Sequence, residues 1–248
     1  MSLSRIRLAS LHDKVISAEQ AAQFIENGMT VGMSGFTRAG EAKAVPQALV
    51  EHAKKNPLKI TLITGASLGN DLDKQLTEAG VLSRRMPFQV DNTLRRAINN
   101  GEVMFIDQHL SETVEQMRNQ QLKRPDVAVI EAIAITEDGG IIPTTSVGNS
   151  ASFAIFAEKV IVEINTSLSE SFEGLHDIIR HVTGQADIGH RPGATVFVAR
   201  VAHCDCKPVE QSHGRQVFGQ LTGTNQQHAV FRSKSVDQFH IIDAEFGR

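Results

Sequence analysis

Val31-Gly-Met-Ser-Gly-Phe-Thr-Arg-Ala-Gly-Glu-Ala-Lys-Ala-Val-Pro-Gln-Ala-Leu49 is the stretch on which the reading of the fold turns. An apolar run from Met29 to Met33 ends in Ser34-Gly35-Phe36-Thr37. A short loop containing Gly40 follows, and Pro46 opens a helical pattern. The order is strand, glycine loop, helix. Glycines at such a junction let the backbone approach a ligand closely. The helix that follows presents free N–H groups and a positive dipole end to an anion. The spacing is not the dinucleotide fingerprint, and no Lys-Ser/Thr pair makes it a Walker A loop. Some other phosphate-bearing or carboxylate ligand is therefore expected. The competing reading is that Gly35 and Gly40 merely serve a tight βα turn.

The same alternation runs outward from this stretch, from about Ser17 to Asn165. Ser17 and Gln20 suit a capping box, with Ala21, Ala22, Phe24 and Ile25 forming one apolar face. Strands are expected at Met29–Ser34, Lys59–Thr64, Val103–Ile106, Asp126–Ile135 and Lys159–Ile164. Helices are expected at Val45–Lys55, Asn70–Ala79, Asp91–Asn99, Ser111–Asn119 and Asn149–Ala157. Glu137-Asp138-Gly139-Gly140 reads as a hairpin turn from which Ile141–Ser146 returns. Strands as uniformly apolar as Val127–Ile130 and Val160–Ile164 belong to a sheet buried on both faces. The fold class is α/β, a mainly parallel central sheet flanked by helices.

Composition narrows the partners. The chain has 248 residues, 41% hydrophobic and 21% charged, with a net charge of −3. That length suits one large α/β domain or two small ones. The charge balance points to neither a nucleic-acid nor a membrane partner. All twelve aromatic residues are Phe, so no platform for stacking bases is visible. Met1 to Lys14 lacks the apolar core of a secretory signal, and no apolar run approaches membrane-spanning length. Cys204 and Cys206, the only cysteines, lie too close for a disulfide framework. A cytoplasmic location is expected.

Beyond Asp177 the composition changes. Seven of the ten histidines lie at or beyond His176, and residues 179–248 hold one leucine, Leu221, and no methionine. Short β-type runs survive at Thr195–Ala199, Gln216–Leu221 and Phe239–Ile242. The tail is either a small β-rich appendage or an irregular ending foreign to the fold before it. Lost consistency between local and global pattern favours the second. Two segments are expected, 1–178 as an α/β domain and 179–248 as an atypical tail.

Residues 1–178 resemble the N-terminal half of the acetyl-CoA hydrolase/transferase family, and within it the succinyl-CoA:acetate CoA-transferase type. The resemblance rests on Ser34-Gly35-Phe36-Thr37 with Gly40 and Val45-Pro46, and on Leu62-Ile63-Thr64-Gly65-Ala66-Ser67. Glu131-Ala132 through Gly139-Gly140 and Thr145-Ser146-Val147-Gly148-Asn149-Ser150 continue it. Lys159 to Asn165 and Gly174 to Ile178 extend it. It implies ping-pong transfer of coenzyme A between carboxylates, with coenzyme A as substrate and no resident cofactor. A family glutamate attacks the thioester, backbone N–H groups hold the oxyanion, and remote CoA binding assists. The half that carries that glutamate is not visible in this sequence. The chain thus reads as a truncated form, without a catalytic residue of its own, that needs a missing second half or a homodimer partner. Ala42 also stands where the family usually places proline.

By this resemblance Gly35, Phe36, Thr37 and Gly40 form the first substrate-side loop, and Thr64, Gly65, Ala66 and Ser67 the second. Ser146, Val147, Gly148 and Asn149 form the third. All three should converge at the ligand-binding end of the sheet. Ser67 and Asn149 also have a plain reading as helix N-caps. Glu131 and Glu163 lie inside apolar strands and need partners or shifted pKa values; structural roles suit them better than attack on a thioester. Asp138 with Gly139-Gly140 reads as a turn. His203-Cys204-Asp205-Cys206 lacks the second ligand pair of a structural zinc site, and no metal is expected.

The leading function is an acyl-CoA:carboxylate CoA-transferase, or the acetyl-CoA hydrolase variant, acting on acyl-CoA and small carboxylates. The alternatives are a catalytically silent fragment or partner subunit and, less favoured by the three loops, a sugar-phosphate isomerase-like enzyme.

Overall fold

The computed structural model describes residues 3–175, 180–181, 195–200, 230–232 and 239–241. In chain order the elements begin with β1 (Val15–Ser17), α1 (Ala18–Ala22), β2 (Thr30–Met33), α2 (Ala44–Lys55), β3 (Ile60–Thr64) and α3 (Leu72–Glu78). Next come β4 (Leu82–Met86), α4 (Asn92–Asn99), β5 (Met104–Phe105), α5 (Leu110–Arg118), β6 (Val127–Ile135) and β7 (Gly140–Pro143). Last are α6 (Ser150–Phe156), β8 (Lys159–Ile164), β9 (Arg180–His181), β10 (Thr195–Arg200), β11 (Val230–Arg232) and β12 (Phe239–Ile241).

The main sheet has the order β1-β10-β8-β6-β2-β3-β4-β5, with every neighbouring pair along it parallel. β7 turns back antiparallel on β6, and β9 pairs with β7. β6 is the central strand, and all nine of its residues are buried. Its side chains alternate between two cores, as the pleat requires. Val127 and Val129 join Leu49, Leu62 and Leu72 on one face. Ala128 and Ile130 join Phe153, Met117 and Val160 on the other. Helices cover both faces, which is why the strands carry near-continuous apolar runs.

Local signals set the helix starts. Ser17 and Gln20 form the capping box of α1, and Asp91 accepts from the amides of Thr93 and Leu94 at the start of α4. α6 crosses β2 at Gly32, where an added Cβ would lie 2.7 Å from the Phe153 ring. β4 is absent from the sequence-based list. Its Leu-Ser-Arg-Arg-Met sequence breaks the apolar pattern, yet Arg85 is fully buried within it.

The chain divides into two units, Met1–His203 and Cys204–Arg248. The boundary expected at residue 178 is crossed by the first unit's sheet. β10 pairs in parallel with both β1 and β8, with Val198 in register with Val15 and Val162. The β-branched and aromatic residues of Thr195–Arg200 suit a strand without leucine or methionine. In the second unit β11 and β12 pair antiparallel. The expected run at Gln216–Leu221 lies outside the described residues.

Candidate functional site

Three loops meet at one point, and glycines make the meeting possible. The first follows β2, the second follows β3, and the third joins β7 to α6. An added Cβ on Gly65 would collide with the Gly35 carbonyl oxygen and lie 3.3 Å from the Gly148 Cα. One on Gly148 would lie 3.5 Å from the Phe36 Cβ. Ser146 Oγ donates to the Ala39 carbonyl at 2.6 Å, tying the third loop to the first. Gly35 and Gly148 have φ values of 133° and 50°, a region that favours glycine. Thr37 and Arg38, at 47° and 66°, share that region without being glycine. Phe36 and Ala39 close the turn between them with reciprocal backbone bonds of 2.9 and 3.0 Å.

The first two loops leave the carboxyl ends of parallel strands, where α/β sheets place ligands. The third arrives by another route. β7 runs against the sheet and pairs Pro143 with Ala132. It therefore releases the chain beside the middle of β6.

Buried charge fixes the loops. Glu131 of β6 accepts from Lys43 Nζ at 2.5 Å, Thr144 Oγ1 at 2.5 Å and Asn165 Nδ2 at 2.9 Å. Its amide donates to Ser34 Oγ at 2.9 Å, and Ser34 Oγ donates to the Gly40 carbonyl. One residue thus ties the start of the first loop, the start of α2 and the start of the third loop. Glu163, in register with Glu131 on β8, accepts from the amides of Lys43, Ala44 and Val45 at 2.7, 3.1 and 3.0 Å. It caps α2 from across the sheet, because the local N-cap, Lys43, makes no side-chain cap. Glu41 is 2% exposed and accepts from Asn70 Nδ2 at 2.6 Å; its second oxygen has no partner. Burial pushes the Glu41 carboxyl up, with Lys43 opposing. Burial pushes Glu163 up as well, against the pull of its three amide donors.

The second loop hangs on Arg85. Its Nε and Nη2 clamp Asp73 at 2.8 and 3.2 Å, Nη1 donates to the Met86 carbonyl at 2.7 Å, and Nη2 reaches the Ala66 carbonyl at 2.9 Å. Asp73 also accepts from the Leu68 amide.

The structure brings the expected residues together in unequal exposure. Thr37 and Gly148 are exposed, and Phe36, Ser146 and Val147 are half-buried. Gly35, Gly40, Gly65, Ala66, Ser67 and Asn149 are buried. Thr64 is fully buried, and its hydroxyl donates to the Ala66 carbonyl. Ser67 does not cap α3, whose N-cap is Asp71. Asn149 stands at the N-cap of α6 but makes no side-chain cap. Ser34, Glu41, Lys43, Asp73, Arg85, Thr144 and Asn165 all support the site without having been expected there. The one available signal was charge inside apolar surroundings, used for Glu131 and Glu163 but not for Arg85. Among the described residues no group of three His, Cys, Asp or Glu is placed to hold a metal. The His203–Cys206 segment lies outside the described residues.

A mostly parallel sheet with these loops defines an α/β fold that recurs in CoA-transferases. Glutaconate coenzyme A-transferase from Acidaminococcus fermentans superposes with a TM-score of 0.51 at 15% identity, over 61% of this chain and 66% of that one. The sequence profile of the acetyl-CoA hydrolase/transferase N-terminal domain matches residues 4–205. The chain belongs to the acetyl-CoA hydrolase/transferase family. It is 45% identical over 176 residues to the succinyl-CoA:acetate CoA-transferase of Clostridium kluyveri, covering 70% of this chain and 33% of that protein. It is 41% identical over 187 residues to an acetyl-CoA hydrolase of Schizosaccharomyces pombe, covering 71% and 36%. The chain therefore spans about a third of the length of these relatives.

Proposed function

We propose that this chain supplies one wall of an acyl-CoA site, in an acyl-CoA:carboxylate CoA-transferase of the succinyl-CoA:acetate type or an acetyl-CoA hydrolase. The observation that carries the reading is the meeting of Gly35, Gly65 and Gly148, in a chain of this family. The close packing of buried Gly35 and Gly65 against Gly148 leaves Gly148 exposed, where backbone amides can face a carboxylate or thioester oxygen. Gly35, Phe36, Thr37, Gly40, Thr64, Gly65, Ala66, Ser67, Ser146, Val147, Gly148 and Asn149 form this wall, Thr64 and Ala66 by holding its shape. Coenzyme A enters as substrate.

The covalent step needs a carboxylate that can reach a thioester carbon. Glu131 and Glu163 are buried and committed to partners, and the family resemblance puts the attacking glutamate in a second half of the protein or in a partner. Lys43 is taken up by Glu131, and the three glycine loops in a chain of this family disfavour the isomerase reading. A silent fragment or a partner subunit is the second reading, favoured by the share of the relatives' length that the chain spans. A cytoplasmic setting suits coenzyme A chemistry; no helix among the described residues is long and apolar enough to cross a membrane.

The test incubates the 248-residue chain with succinyl-CoA and acetate, then traps covalent intermediates with borohydride. The expected result is little transfer and no glutamyl-CoA adduct. An adduct on a glutamate of this chain, with turnover lost on its change to Ala, overturns the assignment of the nucleophile elsewhere.

A further inference from the structure

Glu41 stands at the joint between the first two loops. An added Cβ on Gly35 would lie 3.0 Å from the Glu41 Cβ and 3.2 Å from the Leu68 side chain. One on Gly69 would collide with Glu41 Oε1. Gly35 opens the first loop, and Leu68 and Gly69 continue the second, so both loops pack on this one side chain. Asn70 Nδ2 donates to Oε1 at 2.6 Å, and Gln75 Nε2 holds the Asn70 carbonyl at 3.2 Å. Asn70 and Asp71 have φ values of 49° and 55°, a left-handed pair that persists only where its surroundings hold it. Glu41 is part of that hold, yet its Oε2 is buried with no partner.

The charges around Glu41 do not offset an ionised carboxyl. Lys43 Nζ donates to Glu131 at 2.5 Å and to the Glu41 main-chain carbonyl at 2.8 Å, so it lies near the residue without pairing its carboxyl. Arg38, on the same loop, is exposed. The charges from Thr64 to Asp73 are Asp71, which is exposed, and Asp73, which is clamped by Arg85. β6 adds the like charge of Glu131, and Glu163 of β8 is spent on the amides that open α2. A neutral carboxyl leaves one hydroxyl unpaired, a smaller cost than an unpaired buried charge. Glu41 is therefore the one of these three carboxyls whose folded surroundings suit the protonated form.

We infer that Glu41 is a positioning residue for the wall: carrying a proton, it lets the first and second loops close on it, and ionised, it draws them apart to bring water to Oε2. Solvent supplies and receives the proton, and Glu41 touches no reacting atom. A ligand that contacts the closed loops then binds the protonated form better, and its affinity falls as pH rises through the Glu41 transition. The ligand side of this inference rests on the acyl-CoA reading above; the response of the loops to the proton does not.

The test labels the glutamate carboxyls and backbone amides of the full chain for NMR and titrates it over about pH 4–9. The Glu41 carboxyl is expected to titrate with a midpoint above the ordinary carboxylate range. The Gly35, Gly69 and Asn70 amides should move with that same midpoint. Glu41→Gln keeps an acceptor for Asn70 and cannot ionise, so in this variant those amides should hold their acid positions at every pH. Acetyl-CoA affinity is then measured by calorimetry for both proteins, the variant removing the titration of the ligand's own phosphates from the comparison. Above the midpoint the wild type should weaken relative to Glu41→Gln by up to about tenfold per pH unit, the limit for one linked proton. A Glu41 carboxyl that titrates in the ordinary range, or loop amides that ignore its titration, overturns the inference whatever the ligand does. Affinities that run parallel in the two proteins overturn the proton-linked binding and leave the acyl-CoA reading standing. Acetyl-CoA that binds neither protein at any pH overturns that reading, while the wild-type loop titration still decides the role of Glu41.

Discussion

At the scale of single residues the site is held by contacts that tolerate little change. Gly65 faces backbone of the first loop at Gly35 and of the third loop at Gly148 and Asn149, so Gly65→Ala must push those loops away. Overpacking of this kind costs about 1–3 kcal/mol, and urea denaturation of the variant should show a loss in that range. Arg85 and Asp73 are a buried pair, 0% and 2% exposed at the side chain. Removing one partner leaves a buried charge alone, at a cost of about 3–5 kcal/mol. Arg85→Met should lose that much, and the Asp73→Leu/Arg85→Met double variant should lose less than Arg85→Met alone. A double variant at least as unstable as the single one would show that the pair is not the reason Arg85 is buried. Glycines were the residues most legible in the sequence, because close approach is a backbone property. The side chains behind them were not. Arg85 reads as a surface residue until its partner Asp73 is known, twelve positions earlier and on another element.

At the scale of elements, the buried carboxylates decide how the loops are aimed. Glu163 on β8 serves as the cap of α2, so Glu163→Ala should fray the first turn of that helix. Amide exchange at Lys43, Ala44 and Val45 should accelerate at least tenfold, with stability lower by about 2 kcal/mol. Glu41 adds a pH dependence whose sign follows from its raised pKa. The folded state holds its proton more tightly than the unfolded chain does, so the folded state binds more protons between the two values. Stability from this group therefore falls as pH rises from the ordinary carboxylate range through the raised value. Glu41→Gln should remove that slope; a wild-type minus variant difference that is flat across pH 4–8 would contradict it. Alternating apolar and helical periods marked β2, β3, β6, β8 and the helices between them, because burial on two faces imprints the sequence directly. β4 escaped because its polar residues find partners through tertiary contacts. β10 was legible as a β-type run at Thr195–Ala199, but its pairing with β1 and β8 was not, because its surroundings in sequence suggested an ending unrelated to the sheet.

At the scale of the whole molecule, the proposed reading makes the chain a binding wall whose covalent chemistry is supplied from elsewhere. Its sheet, loops and buried network are assembled within the first unit, where Glu131 and Glu163 are engaged in structural hydrogen bonds. Family resemblance and local pattern together made the sheet and the three loops readable before any coordinates. The interlocking of those loops at Gly35, Gly65 and Gly148 was not readable in detail, since it depends on how far β7 carries the chain back along β6. The central claim is that these loops together contact acyl-CoA. Hydrogen exchange of the chain with and without saturating acetyl-CoA tests it most directly. Slowed exchange is predicted across residues 34–40, 65–70 and 144–149, with α4 and β5 unchanged. Protection confined to other elements, or none at all, would contradict the account.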